Sequence, residues 1–162
     1  EELPAGTATT VSTDLDQTLP RADIIVTVTS AVDAVIEPRH LKPGAVVCDV
    51  SRPRDVSVRV AKERDDVLVI EGGVVSVPGD VEFHFNFGFP AKTSYACMAE
   101  TMILALDGRY ESFSLGKELD LARVKEIGAL AAKHGFKLAG FRSFEKAVTD
   151  EQIARIREKA GR

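Results

Sequence analysis

The sequence predicts an α/β protein built on a parallel sheet, and three observations predict it. Ala22 to Ser30, ADIIVTVTS, and Gly44 to Ser51, GAVVCDVS, are near-continuous apolar and β-branched runs, as expected for strands buried on both faces. Helical patterns alternate with these runs, which parallel neighbours require because only a crossover can join them. Turn and stop residues punctuate the pattern at Pro78-Gly79-Asp80, Gly108 and Gly135.

The elements follow in order. Glu1 opens the chain, and Thr7 to Thr13 reads as a short β-branched strand. After the runs at Ala22 and Gly44, Arg54 to Arg64 offers a short amphipathic helix with Val56, Val60 and Ala61 on one side. Val67 to Ile70, continuing into Glu71-Gly72-Gly73-Val74-Val75, is the third strand. Val81 to Phe89 places Phe83, Phe85, Phe87 and Phe89 at period two, either a packed strand or loop or one wall of an apolar substrate slot. A helix is expected from Pro90 to about Asp107, with Tyr95, Met98, Met102 and Leu106 on one face and Cys97 beside that face, about two turns in. Asp120 starts a further helix with Leu121, Val124, Ile127 and Leu130 inward and Gly135 as its stop. Thr149 and Gln152 form a capping box for a last helix carrying Ile153 and Ile156.

Composition sets outer limits. A chain of 162 residues, 44% of them hydrophobic, can form one core and bury roughly two-thirds of its unfolded surface. The balance of 21 basic against 25 acidic residues argues against a general nucleic-acid or anionic-membrane surface. The longest apolar runs, such as Ile24 to Val28, fall far short of the ~20 residues of a membrane helix. Two widely separated cysteines suggest neither a disulfide framework nor a zinc site, no cluster has metal-ligand spacing, and a reducing cytoplasm fits best.

In an open parallel sheet, ligands sit at the carboxyl ends of the strands. Thr29, Ser30 and Ala31, then Ser51, Arg52 and Pro53, then Gly72 and Gly73 would therefore line one rim, a plausible edge for a dinucleotide. The glycines could let the backbone approach a flat ring, or could simply close a tight turn. The glycine-rich turn that cradles a pyrophosphate between a first strand and helix is absent from the sequence. The expected fold is thus the second half of a Rossmann-type parallel sheet with a helical C-terminal extension. Residues 1–89 would be a partial NAD(P)-binding domain lacking the glycine-rich βαβ unit, and residues 90–162 a helical extension carrying Cys97. In the usual strand order 3-2-1-4-5-6, the strand at Thr7 to Thr13 would be the third, separated from Ile24 by two missing strands. The chain is accordingly expected to be the C-terminal portion of a longer protein, to bind NADPH weakly by itself, and to recruit the missing N-terminal half or a second copy along the edge at Ile24 to Val28.

The segment FGFPAKTSYACMAETM, Phe87 to Met102, resembles the cyanobacterial long-chain acyl-carrier-protein reductases and bacterial relatives described as amino-acid dehydrogenases. Their matching segment has a proline, then seven residues later a cysteine followed by alanine and glutamate; here Pro90, Ala96, Cys97, Ala99 and Glu100 occupy those positions. ADIIVTVTSA, LKPGAVVCDVSRPRDV and VIEGGVV resemble the second half of the same reductases' nicotinamide-cofactor domain, and more distantly the shikimate dehydrogenase and glutamyl-tRNA reductase domains. The resemblance runs from about Leu15 to Leu138, with a shorter link between Asp80 and Pro90 and an extra C-terminal helix.

This resemblance implies an oxidoreductase that uses NADP(H) or NAD(H), with acyl-carrier protein or acyl-CoA as substrate partner and Cys97 as the catalytic nucleophile, although this chain alone is expected to be inactive. A cysteine thioester keeps its carbonyl electrophilic enough to accept hydride and leave as an aldehyde. Lys92, Tyr95 and His84 are the nearest candidates for a base. Alternative readings are a dehydrogenase of a small polar acid or amino acid without covalent catalysis, and a non-catalytic nucleotide-sensing or assembly fragment. Among the remaining residues, Cys48 reads as core and Asp49 as a turn residue. Arg52 and Arg54 could meet a cofactor or carrier phosphate, and His40 and His134 read as surface residues near a turn and a helix end.

Overall fold

A computed structural model describes residues 6–85, 88–116 and 119–161; Glu1 and Phe87, named above, lie outside them. The chain divides into two compact units, one of Ala8–Gly72 with Phe141–Arg162 and one of Gly73–Gly140 with residues 6 and 7. The divisions thus fall at 72/73 and 140/141, and the C-terminal segment returns to the first unit instead of extending the second.

The first unit holds the parallel sheet. Strands β1 (Ile24–Thr27), β2 (Val46–Asp49) and β3 (Leu68–Glu71) lie in that order, with Ile25 opposite Val47 and Val47 opposite Val69. Those three residues point into a core with Ile36, Leu41, Val56, Val60 and Val67. The chain moves one way along the sheet, and right-handed crossovers in one direction leave their connections on one face. Burial on both faces therefore does not hold for β1: Ile24, Val26 and Val28 are 72%, 63% and 70% exposed while Ile25 and Thr27 are buried. The crossover to β3 carries helix α2 (Val58–Glu63), shorter than its apolar pattern suggested, with the Ser57 hydroxyl accepting from the Arg59 N–H at its start.

Residues 7–13 form no strand, since no described strand pairs with them and a β-branched run without a ladder gains little. A single helical turn, α1 (Leu15–Thr18), follows on an Asp14 cap. His40, expected at the surface, is buried at 3% exposure. Its Nδ1 accepts the Glu37 N–H at 3.0 Å, which leaves Nε2 to donate to Asp16, also at 3.0 Å. A capping role at the 3-10 turn Pro38–His40 therefore draws it inward.

The second unit is antiparallel. Its strands are β4 (Val74–Ser76) and β5 (Thr93–Tyr95), packed with helices α3 (Ala96–Leu106) and α4 (Leu121–His134) and a short strand β6 (Lys137–Leu138). Strand order is β5-β4-β6. Val77, Ala99, Ile103 and Phe136 form its core, with Phe83, Met102, Ile127 and Leu130 packed around them. Two sequence expectations change here, the start of α3 and the inward stripe of α4, and the alternatives left open for the aromatic segment narrow. Thr93–Tyr95, expected inside a helix, pairs with β4 and buries Ser94 completely, so the helix starts only at Ala96. Residues 81–85, 88 and 89 form no strand. The inward face of α3 is Ala99, Met102 and Ile103, while Leu106 is 59% exposed. On α4 only Ile127 and Leu130 of the expected stripe turn inward, with Leu121 and Val124 exposed. The α4 ends are as expected: the Asp120 carboxylate accepts from the Ala122 N–H, and Gly135 closes the helix in the left-handed region at φ 84°.

The C-terminal segment forms a hairpin of β7 (Arg142–Ser143) and β8 (Lys146–Ala147), then helix α5 (Asp150–Lys159). The Thr149 hydroxyl accepts the Gln152 N–H as the capping pattern requires, and Ile156 is buried. After α5, Ala160 meets Gly44, where an added Cβ would lie 2.3 Å from the Ala160 Cβ.

Candidate functional site

The strand-end rim is built around an aspartate that sequence reasoning missed. Asp55 is fully buried behind the carboxyl ends of β1 and β2. It accepts hydrogen bonds from the hydroxyls of Thr27, Thr29 (2.5 Å) and Ser51 (2.6 Å) and from the Thr29 N–H (3.1 Å). Burial alone would raise its pKa, but the Ser51, Thr27 and Thr29 donors prevail and hold it at about 2, against an ordinary 3.8. The available signal was the concentration of hydroxyls at the two strand ends, TVTS and DVS, with one acidic residue four positions beyond Ser51.

The rim residues consequently divide by duty. Thr29 and Ser51 are brought together, with their hydroxyls turned to Asp55, and Ser51 is itself buried. Asp49, also fully buried, closes the following turn by accepting the Ser51 and Val56 N–H groups at 3.1 and 3.0 Å. Ser30, Arg52 and Pro53 remain exposed and Ala31 half-buried. A Cβ on Gly72 would sit 2.7 Å from Val50 Cγ2, so packing demands glycine there. At Gly73 the space is open, and a φ of 80° makes the demand instead. Arg54 is committed to the scaffold: its Nε donates to the buried Glu71 at 2.9 Å, and its terminal nitrogen pairs with Glu145 at 2.9 Å. Cys48 is half-buried within β2.

Cys97 lies in the second unit and is exposed. The later start of α3 makes it the second residue of the helix, in the first turn, instead of two turns inside. Tyr95 is the N-cap, and its side chain makes no capping hydrogen bond. Backbone N–H groups of a first turn point out of the helix end and favour negative charge beside them. Of the candidate bases, Lys92 pairs with Asp80 at 2.8 Å in a left-handed turn (φ 60°), and His84 is an exposed residue of the preceding loop. Tyr95 meets Phe89 edge-on, with ring centroids 4.9 Å apart. His134, half-buried beside the end of α4, pairs with Asp107.

A three-stranded parallel sheet wound in one direction, with a polar network behind its carboxyl ends, defines the first unit as a Rossmann-type half. No protein-family model matches the chain. It is 38% identical over 151 residues to aminotransferase PigE of Serratia sp. (strain ATCC 39006), covering 91% of this chain and 18% of that protein. It is 32% identical over 129 residues to the long-chain acyl-[acyl-carrier-protein] reductase of Synechococcus elongatus (strain ATCC 33912 / PCC 7942 / FACHB-805), covering 76% of this chain and 37% of that protein. The chain is thus similar to a part of each relative and spans well under half of either one's length; the second carries the name of the reductases that the motifs around Cys97 resemble. Among the described residues no helix is long and apolar enough to cross a membrane.

Proposed function

We propose that this chain carries part of an NAD(P)H-dependent acyl-thioester reductase that converts fatty acyl-carrier protein or acyl-CoA to an aldehyde. The observation that carries the reading is the place of Cys97: exposed, in the first turn of α3, beside an N-cap residue, Tyr95, whose side chain makes no capping hydrogen bond. The thiolate adds to the thioester carbonyl, the new Sγ–C bond forms, the C–S bond to the carrier breaks, and the carrier thiol leaves with a proton from solvent.

The strand-end rim of the first unit supports the cofactor part of this reading, with Ser30 and Arg52 exposed on it. Asp55 locks Thr29 and Ser51 so that the two loops hold their shape. The sequence holds no glycine-rich turn for the pyrophosphate, so that contact would come from elsewhere in the complete protein. When bound, NAD(P)H supplies the hydride that takes the acyl group to the aldehyde level.

Incubation of the chain with decanoyl-CoA in the absence of nucleotide should add the mass of one acyl group, mapping to the peptide that contains Tyr95 to Glu100. Cys97→Ala should gain none. An adduct of equal yield on that variant would remove Cys97 from the mechanism.

A further inference from the structure

A pocket of about 360 Å³ opens in the first unit between α2, β3, the β7–β8 hairpin and α5, and its lining includes none of the strand-end rim residues. Small-molecule sites occupy ~300–1,000 Å³. Val60, Val67 and Val69 of the unit's core form the floor, and Ala61 and Phe144 add apolar wall. The charges at its mouth do not cancel. Arg64 pairs with Asp66 at 2.7 Å. Asp65 pairs with Lys159, whose hydrogen bond lowers the Asp65 pKa, with Arg155 contributing at longer range. Lys146 and Arg155 also line the pocket, and among the described residues neither has a carboxylate within ion-pair distance. Ser143 and Gln152 add uncharged hydrogen-bonding groups. The turn that supplies the aromatic wall is strained: Phe144 at φ 46° and Glu145 at φ 69° both occupy the left-handed region, where a two-residue hairpin turn ordinarily places asparagine or glycine. Contacts outside the pocket hold it there. The Glu145 N–H donates to the buried Glu71 at 3.3 Å, and the Glu145 carboxylate pairs with Arg54 at 2.9 Å. Strain kept in place by surrounding contacts is concentrated at ligand clamps.

We propose that this pocket binds a small aromatic carboxylate, with its ring system against Phe144 and the valine floor and its carboxylate between Lys146 and Arg155. The ring system gains by leaving water and meets an aromatic wall fixed by the turn. The carboxylate meets two cations at the mouth, where it stays partly hydrated and needs no buried counter-charge. Such a ligand answers both features of the lining, the apolar floor and the surplus of positive charge. The assignment depends neither on Cys97 nor on a nicotinamide cofactor.

The backbone amide resonances of the isotope-labelled chain should be followed during titration with 2-naphthoate and with its uncharged analogue 2-naphthamide. Saturable shifts with naphthoate should concentrate on residues 143–147 and 152–155, and naphthamide should bind ~10-fold more weakly, as expected when two partly exposed cations are lost to the ligand. Lys146→Glu combined with Arg155→Glu changes exposed positions alone and should weaken naphthoate at least ~10-fold while leaving naphthamide as it was. Ala61→Phe, at an exposed helix position, fills the pocket and should abolish binding of both probes. The comparison of acid with amide on the wild type needs no variant to fold. Equal affinity for the two probes, saturable shifts centred elsewhere, such as on the exposed β1 face, or none at the solubility limit of naphthoate would overturn the site.

Discussion

Asp55→Asn tests the network behind the strand-end loops. The folded protein holds this carboxyl at about 2 against an ordinary value of 3.8, through three hydroxyls and one backbone N–H. By linkage that depression contributes about 2 kcal/mol of stability, fully present above the ordinary value and lost as pH falls toward 2. The sign follows from proton counting: between these values the unfolded state binds the proton and the folded state does not, so acidification favours unfolding. An amide has nearly the shape of the neutral acid. Asp55→Asn should therefore be about 2 kcal/mol less stable than wild type at pH 7 and nearly equal to it close to pH 2. Urea denaturation followed by circular dichroism, for both proteins from pH 7 downward, measures the gap directly. The other carboxylates titrate alike in the two proteins and cancel in the difference. A gap that stays constant with pH would refute the ionised, donor-surrounded Asp55.

Two further predictions concern the same unit. Gly44→Ala should destabilise by about 2 kcal/mol or more in the same denaturation assay, because it places a methyl group in a left-handed backbone (φ 77°) against Ala160; an unchanged midpoint would show that the α5 end does not pack on Gly44. The exposed row Ile24, Val26 and Val28 on an edge strand should drive association, so sedimentation should be concentration-dependent in the wild type and shift toward monomer in Val26→Lys. A wild type that stays monomeric at every concentration would count against that face as a contact surface.

The parallel strands were legible because β-branched apolar runs have few other uses: β1, β2 and β3 all fall inside the predicted runs. Helix ends with side-chain caps were equally legible, since Asp120, Gly135 and Thr149 act within a few residues of where they stand. What could not be read was anything decided by partners distant in sequence. Thr93–Tyr95 becomes a strand only because β4 lies beside it, and residues 7–13 pair with no strand among the described residues. His40 is buried by its link to Asp16, and Asp55 matters only once β1 and β2 bring their hydroxyls to it. The aromatic period was visible, but Phe83, Phe85 and Phe89 stand in a loop, where period two marks no strand.

The misplaced helix start has the largest chemical consequence. A helix beginning at Pro90 would have left Cys97 where the field of the helix end has faded, and its nucleophilicity would have needed a neighbouring base. Pairing of Thr93–Tyr95 with β4 delays the helix to Ala96, and the Ala96 N–H is taken by the Gly73 carbonyl at 2.6 Å. The strand pairing thus sets the position of the first turn, and the first turn sets the environment of the sulfur. In this fold the β4–β5 ladder is a positioning device for Cys97.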